Sequence, residues 1–482
     1  MYKKIIILMA ALLLVLVGIS CGGDKPTEEG GIVLKKPDNK ENIIDNPDGM
    51  LRSDQLSLFD DTMVNVRLIA DSGSGAYYRA PVIITYGGAN QNQRKSMAVF
   101  MEKRYGVGGV GDVGVDGNAK TDIIYMANDR GGDSLDYSKD YIVGKAGESA
   151  NTHGAEYSRA SAVVFVHSDG INISVVAAAG TGNMGTISKN GSGKSEVKIS
   201  KGTASGSMIN FNEWKDLNIT YNSLKGSDAI LEYAKQINDK FNAFYTRWGQ
   251  GKVDGQNWIL PLKLMERKSD NSLGAQAVLV LYSENEGGEW KFGPYLTLGV
   301  ELGTDRAAYN EATGLSVSGN TFKVALVPRN PGSYIGIASG TFEDCSSEPK
   351  VLNREGSSSF VDSYNNFEMH SPYFINTRER SAMSYNSFIV NKKLTIAILS
   401  DPADNLQEQK SMMMSRVSGS GSVAVLADNT IVTIAEEAFA ENSTVGENRY
   451  NLVQRRFTRG YVEKRDRIAD GEEYFNPNLE AY

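Results

Sequence analysis

The stretch Ala277-Val-Leu-Val-Leu-Tyr-Ser-Glu-Asn-Glu-Gly-Gly-Glu-Trp-Lys291 decides the fold class. Apolar residues run to Leu281, an Asn/Glu/Gly-Gly turn follows, and Trp290 opens a second segment that continues through Phe292 to Val300. An apolar run, a tight turn and another apolar run read as two strands of a hairpin.

The same pattern recurs on both sides. Pro81-Val-Ile-Ile-Thr-Tyr86, Ala98-Val-Phe-Met-Glu102, Thr121-Asp-Ile-Ile-Tyr125, Ala162-Val-Val-Phe-Val166 and Ile171-Asn-Ile-Ser-Val-Val176 precede it, after a first strand at Asn65-Val-Arg-Leu-Ile-Ala70. Trp258-Ile-Leu-Pro-Leu262 adjoins it, and Thr321-Phe-Lys-Val-Ala-Leu326, Leu394-Thr-Ile-Ala-Ile-Leu399 and Ile431-Val-Thr-Ile434 follow. Short, numerous strands with turn signals between them predict an all-β array. One helix is expected within it, capped by Asp228 and carrying Ile230, Leu231, Ala234, Ile237 and Phe241 on one face.

With 482 residues, 41% of them hydrophobic, and 50 glycines against 12 prolines, the chain can bury a large core and needs many turns. The net charge of -8 and the lack of a long basic run argue against nucleic acid as a partner. An anionic ligand would need a locally basic pocket. At the N-terminus, Lys3 and Lys4 precede an apolar run from Ile5 to Ile19 that ends at Ser20-Cys21. This resembles a bacterial lipoprotein signal peptide (1-20), with Cys21 as the lipidation site and Gly18 and Ile19 departing from the usual lipobox. The alternative is an ordinary signal peptide with an incidental cysteine. The run is short for a spanning helix, so the expected membrane link is a lipid anchor only. Residues 21–55, rich in Gly, Pro, Asp, Asn, Glu and Lys, read as a flexible tether, 56–465 as the folded body, and 466–482 as a tail. Cys345 is the other cysteine, which leaves no disulfide framework.

Ser283, Asn285, Gly287 and Trp290 have the spacing Ser-x-Asp-x-Gly-x-x-Trp, with Asn for Asp. This resembles the Asp-box turn (BNR repeat) of sialidase propeller blades. Further landmarks follow the sialidase order from about residue 75 to 460. Tyr78-Arg79-Ala80-Pro81 looks like the Arg-Ile-Pro motif, and Phe100-Met-Glu-Lys-Arg104-Tyr105-Gly106 like the Phe-Ala-Glu-Ala-Arg stretch. Asn128-Asp-Arg-Gly-Gly132 resembles a degenerate box. Phe244-Tyr-Thr-Arg-Trp-Gly249-Gln-Gly251 resembles the segment before the second box. Tyr309-Asn-Glu311 to Val327-Pro-Arg329 is similar to the Asn-Glu-Pro to Arg strand pair. Ser400-Asp-Pro402 and Val425 to Glu436 match the last landmarks.

The resemblance implies a six-bladed β-propeller whose central pocket binds sialic acid, with no cofactor and no metal. That sugar carries a carboxylate on its anomeric carbon, so guanidinium groups must converge on it. Arg79 and Arg329 stand at two of the family's three arginine positions. Lys410 lies near the third, Glu436 matches the carboxylate that orients the first arginine, and Arg104 lines the same pocket. A carboxylate nucleophile would be repelled by the substrate, and the family instead uses a tyrosine activated by a glutamate. Glu311 matches that glutamate, and Asp116, or Asp112 in the same Gly-rich loop, the general acid. The tyrosine is implied a few residues before Val423, where the chain reads Ser418-Gly-Ser-Gly-Ser422. Tyr364, Tyr373 or Tyr385 would have to replace it from another loop.

Other signals are discounted. Gly106-Val-Gly-Gly-Val-Gly111 fits G-x-G-x-x-G without a following helix. His153, His167 and His370 lack metal-ligand spacing. His167-Ser168-Asp169 reads as a hairpin turn and Met412-Met-Met414 as strand. The leading expectation is an exo-α-sialidase acting on sialylated glycans or glycoproteins from a surface-exposed, lipid-anchored position. The alternative is a catalytically reduced homologue that binds sialoglycans as an adhesin or capture protein, and a third is a propeller used for protein contacts.

Overall fold

The computed structural model describes residues 63–70, 76–89, 93–105, 120–129, 139–179, 194–269, 273–298, 309–328, 336–357, 367–368, 383–390, 393–400, 407–428, 430–438, 450–458 and 460–461. The leader with Cys21, the tether, the loop holding Asp112 and Asp116, Gly106–Gly111, Arg329, Tyr364, Tyr373 and the 466–482 tail lie outside them.

Every strand expected from the sequence is a strand, and neighbours along the chain pair antiparallel, as hairpin connections require. Ala76–Tyr86, Ser96–Tyr105, Lys120–Asn128 and Tyr141–Ile142 form one sheet in that order. Arg159–Val166, Asn172–Ala179 and Glu196–Ser205 begin the next, to which Gly249–Gln250 adds in parallel beside Arg159–Val166. Ala243–Thr246, Asn257–Arg267, Leu273–Ser283 and Lys291–Leu298 make the third, and Lys252–Asp254 also pairs with its second strand. Tyr309–Ser318, Thr321–Pro328, Gly336–Thr341 and Asn353–Ser357 make the fourth. A seven-stranded sheet then runs Phe367–Glu368, Met383–Val390, Lys393–Ser400, Gln407–Val425, Ile431–Ala438 and Tyr450–Phe457, and ends on Met63–Ala70 from the start of the chain. The 19-residue strand Gln407–Val425 pairs with Lys393–Ser400 through its first half and with Ile431–Ala438 through its second.

The sheets pack on one another in a circular order. The 76–86 strand touches the 159–166 strand, which touches 243–246; 257–267 touches 309–318, 321–328 touches 367–368, and the 407–425, 431–438 and 450–457 strands return to 76–86. The core lies between consecutive sheets. Met97, Val99 and Ile124 meet Val425, Ile434 and Leu452 in one layer. Val82 and Phe100 meet Val164 and Val175 in the next, Phe165 and Val176 meet Trp258 and Leu279 in a third, and Val280 meets Val324 and Ala338 in a fourth. A sheet covered on both faces needs apolar residues at successive positions, and Arg159–Val166 is accordingly buried throughout.

The Ser283–Trp290 turn closes as a self-bonded unit. The Ser283 hydroxyl accepts from the amides of Asn285 and Gly287 and donates to Asn285 Oδ1, which also accepts the Glu289 amide at 2.8 Å. Gly287 has φ +70 and a Cβ there would sit 2.9 Å from the Trp258 ring, so glycine is required both by conformation and by space. Trp290 is buried beside Phe165 and Trp258, whose rings stack at 4.6 Å with an interplanar angle of 4°.

The helix spans Gly226–Ile237, with Lys225 at the N-cap position and Asp228 inside the first turn. Asp228 therefore favours the helix through the charge of its N-terminus rather than as its cap, and Phe241 lies beyond the C-terminus, where it still joins the same core. A second helix of one turn, Ala150–His153, was not anticipated; its N-cap Ser149 bonds to the buried Asp122 at 2.6 Å. Residues 167–171 form the turn between two strands, as expected.

Candidate active site

Two strand irregularities, alike in construction, position the polar groups. In the 76–86 strand the register shifts between Arg79 and Val82, and Ala80 adopts φ 52, a conformation unfavourable for a residue with a Cβ. In the 159–166 strand it shifts between Ala160 and Val163, with Ser161 at φ 53. Each strained residue gives its amide to a buried carboxylate from a strand of the neighbouring sheet. Ala80 N donates to Glu436 Oε1 at 2.6 Å, and Ser161 N donates to Glu102 Oε1 at 2.7 Å. A charge-assisted hydrogen bond offsets the cost of the conformation.

Glu436, fully buried in the Ile431–Ala438 strand, also holds Arg79, whose Nε lies 3.0 Å from Oε1. Burial alone would raise its pKa, but the Arg79 charge and the Ala80 amide outweigh it and hold the carboxylate below its ordinary range. The structure thus brings together Arg79 and Glu436 from the ends of the chain. The neighbouring Glu437 pairs instead with the buried Arg455, so adjacent glutamates serve opposite faces of one strand.

Arg79 stands opposite Glu102 in the strand register, and Arg104 two residues further on donates to Glu102 Oε2 at 2.6 and 2.8 Å. Two guanidinium-bearing residues therefore share a sheet face with one buried carboxylate. Arg104 is held by that carboxylate, and its side chain is 13% exposed.

Glu311 lies at the start of the Tyr309–Ser318 strand. Its Oε1 accepts the Tyr245 hydroxyl at 2.6 Å, and its Oε2 lies 3.1 Å from Arg247 Nε. Tyr245 comes from the short strand Ala243–Thr246, and Arg247 follows one residue after it, its guanidinium over the Trp248 ring at 5.5 Å. Lys263, opposite Tyr245 in the register, places Nζ over the phenol ring at 5.6 Å. Burial, followed by the nearby Glu311 charge and its hydrogen bond, pushes the Tyr245 pKa well up, against a smaller downward pull from Arg247 and Arg267. The phenol is the proton donor of the pair and Glu311 the acceptor.

A series of contacts and one cross-strand pairing link these groups. Glu436 holds Arg79; Arg79 faces Glu102; Glu102 binds the Ser161 amide; the Ser161 carbonyl accepts the Thr246 hydroxyl at 2.7 Å; and Thr246 lies between Tyr245 and Arg247, which hold Glu311. Five sheets contribute to one arc. Lys410 is in the long strand, opposite Ile398. Tyr385 is in the Met383–Val390 strand, also opposite Ile398. Arg329 and Asp116 lie outside the described residues.

The sequence reading passed over Tyr245 and Arg247, although both lie in the quoted Phe244–Gly251 segment. The available signal was two hydrogen-bonding side chains beside Ala243 and Phe244, in a strand otherwise fit for burial. Tyr245 lies far before the place, a few residues ahead of Val423, where the resemblance implies the tyrosine.

No protein-family model matches the chain and no curated protein matches its sequence. Solved structures do resemble it. The Hadza microbial sialidase Hz136 is 13% identical, with 79% of this chain and 66% of that one covered at a TM-score of 0.53. The intramolecular trans-sialidase from Ruminococcus gnavus, solved with oseltamivir carboxylate, is 11% identical over 83% of this chain and 98% of that one, at 0.50. NanB, solved with Optactamide, is 12% identical over 83% and 71%, at 0.51. This chain spans just under two thirds of the first of these proteins and nearly all of the second. At such identities the likeness is one of fold. The chain, all-β and built of antiparallel sheets packed in circular order, has a sialidase-like fold.

Proposed function

We propose that the protein is an exo-α-sialidase that removes terminal sialic acid from glycoconjugates. The observation that carries this is the Tyr245 hydroxyl 2.6 Å from Glu311, on an arc that also bears Arg79 and Arg104. The circular packing order supports six blades, with the seven-stranded sheet counted as two blades sharing the strand Gln407–Val425.

In the proposed reaction Arg79, and Arg329 with it, binds the substrate carboxylate, and Glu436 fixes the Arg79 side chain. Glu311 takes the phenolic proton as the Tyr245 oxygen attacks the anomeric carbon, and an acid assigned to Asp116 protonates the departing glycan oxygen. Water, deprotonated by that same carboxylate, then displaces the tyrosine, which recovers its proton from Glu311. Arg247 stabilises Glu311 as an anion ready to accept. The strongly raised Tyr245 pKa requires this coupling, because the phenol does not ionise alone at neutral pH. Export by the N-terminal segment and anchoring through Cys21 at the cell surface belong to the same proposal.

A second reading follows from the burial of Tyr245, which is 8% exposed. A phenol so enclosed also fits a homologue that binds sialoglycans without cleaving them. A fluorogenic sialoside separates the two. Release that is lost in Tyr245→Phe and Glu311→Gln supports the enzyme. No release at any pH between about 4 and 8 sinks it, and sialyllactose binding without release then supports the capture protein.

A further inference from the structure

We infer that the fourth sheet carries a separate binding site for a neutral sugar residue. A cavity of about 470 Å³, within the size range of small-molecule sites, opens between the strands Thr321–Pro328, Gly336–Thr341 and Asn353–Ser357 and the segment 343–351 that connects the last two of them. Its placement is independent of the arc described above. Glu311 pairs with Val327, whereas the cavity begins at Thr321, which pairs with Ser318. At the rise of an extended strand this puts the cavity about 20 Å from Glu311, at the other end of the hairpin.

The register explains why the wall is polar. Lys323 is opposite Ser339, Ser339 is opposite Asn353, and Thr321 is opposite Thr341, so the alternation of strand side chains brings these five to one face. Phe322, Val324 and Ala338 alternate with them and enter the core. A sheet face wholly committed to solvent needs no companion loop, yet here the 343–351 segment folds over it. Its position is fixed by the Cys345 amide on the Phe292 carbonyl at 2.8 Å and by Leu352 on Tyr295 at 2.7 Å.

The charges select the ligand. Lys323 pairs with Glu355 at 2.9 Å, and Lys350 pairs with Glu343, so the wall has no net charge. A carboxylate or phosphate entering would face two glutamates, and a cation would face two lysines. A sugar with adjacent hydroxyls meets both requirements, because each hydroxyl accepts from an ammonium and donates to a carboxylate or to Ser339 or Asn353. Pro294 lines the same cavity, and Val351 at its rim is 64% exposed, the most exposed large apolar side chain among the described residues. These supply the apolar surface against which the C–H face of a pyranose packs. A glycan whose terminal acidic sugar lies in the arc has neutral sugars further along, and a second site of this kind would retain the protein on such glycans.

The test is ligand-observed NMR and calorimetry on the folded chain with lactose, N-acetyllactosamine, chitobiose and mannobiose, with sialic acid as the anionic control. At least one neutral saccharide is expected to bind with a dissociation constant of about 1 mM, and Lys323→Met and Asn353→Ala are each expected to weaken it about tenfold. Unchanged thermal unfolding of both variants shows that the loss is local. Sialoside handling should be the same in Lys323→Met as in the parent, so failure here and failure of the sialidase reading are distinguishable. Absence of binding by all four saccharides, binding indifferent to both substitutions, or preference of the cavity for sialic acid overturns the inference.

Discussion

Replacing Glu436 with glutamine tests whether a buried carboxylate holds Arg79 in place. Glu436 is fully buried and serves two partners, the Arg79 guanidinium at 3.0 Å and the Ala80 amide at 2.6 Å. Breaking a fully buried ion pair by removing one partner costs about 3–5 kcal/mol. The Arg79 side chain is 19% exposed and can turn partly to water, and the amide oxygen of glutamine can still accept from Ala80. Both reduce the loss, to about 2–3 kcal/mol. Glu436 is held below its ordinary value of 4.5, so the native state binds fewer protons than the unfolded chain as pH falls toward its depressed pKa. The stabilisation is therefore complete above about pH 4.5 and is lost as pH drops through the folded pKa. Urea unfolding of parent and Glu436→Gln at several pH values reads this directly. A difference below about 0.5 kcal/mol at pH 7, or one that persists undiminished at acid pH, refutes the reasoning.

Arg247→Met removes the cation from Glu311 Oε2 and is expected to move the acid limb of the sialoside pH–rate profile upward, with a fall in kcat larger than any change in KM. Gly287→Ala forces a Cβ into φ +70 and against Trp258, and unfolding in urea should show a loss of about 1–3 kcal/mol. Lys252, enclosed between strands of three sheets, has its pKa lowered by burial to about 7 from 10.5. Between those values the unfolded chain holds the extra proton, so stability rises with pH by up to about 1.4 kcal/mol per unit. The difference in stability between parent and Lys252→Met, followed from pH 6 to 10, should show that slope, and a flat difference counts against it.

Much of the architecture was legible because strands and turns are local. The alternation and length of apolar runs marked each hairpin, and Ser283, Asn285 and Gly287 close their turn with bonds spanning four residues or fewer. The helix was legible from its apolar face, but its start lies three positions earlier than Asp228 as a cap implies. Asp228 satisfies the cap preference in sequence, whereas the backbone enters the helix earlier, at Gly226, whose φ is +58. The motif around Arg79 and the acid at Glu436 could be named from the chain, although Ala80 of that motif and Glu436 are 356 residues apart.

Local patterns in the chain specify an all-β protein with repeated hairpins and a set of cationic and acidic residues in a family-like order. The pairings arise from the packed fold. Tyr245 and Glu311, 66 residues apart, meet because two sheets pack against each other, and nothing in either segment specifies the other. Lys323, Ser339 and Asn353 form one wall because a strand register aligns them. Local patterns record which side chains leave a strand on the same face, since that depends on alternation alone. Which face meets which depends on packing across the whole chain, and that is fixed by the fit of many buried surfaces together.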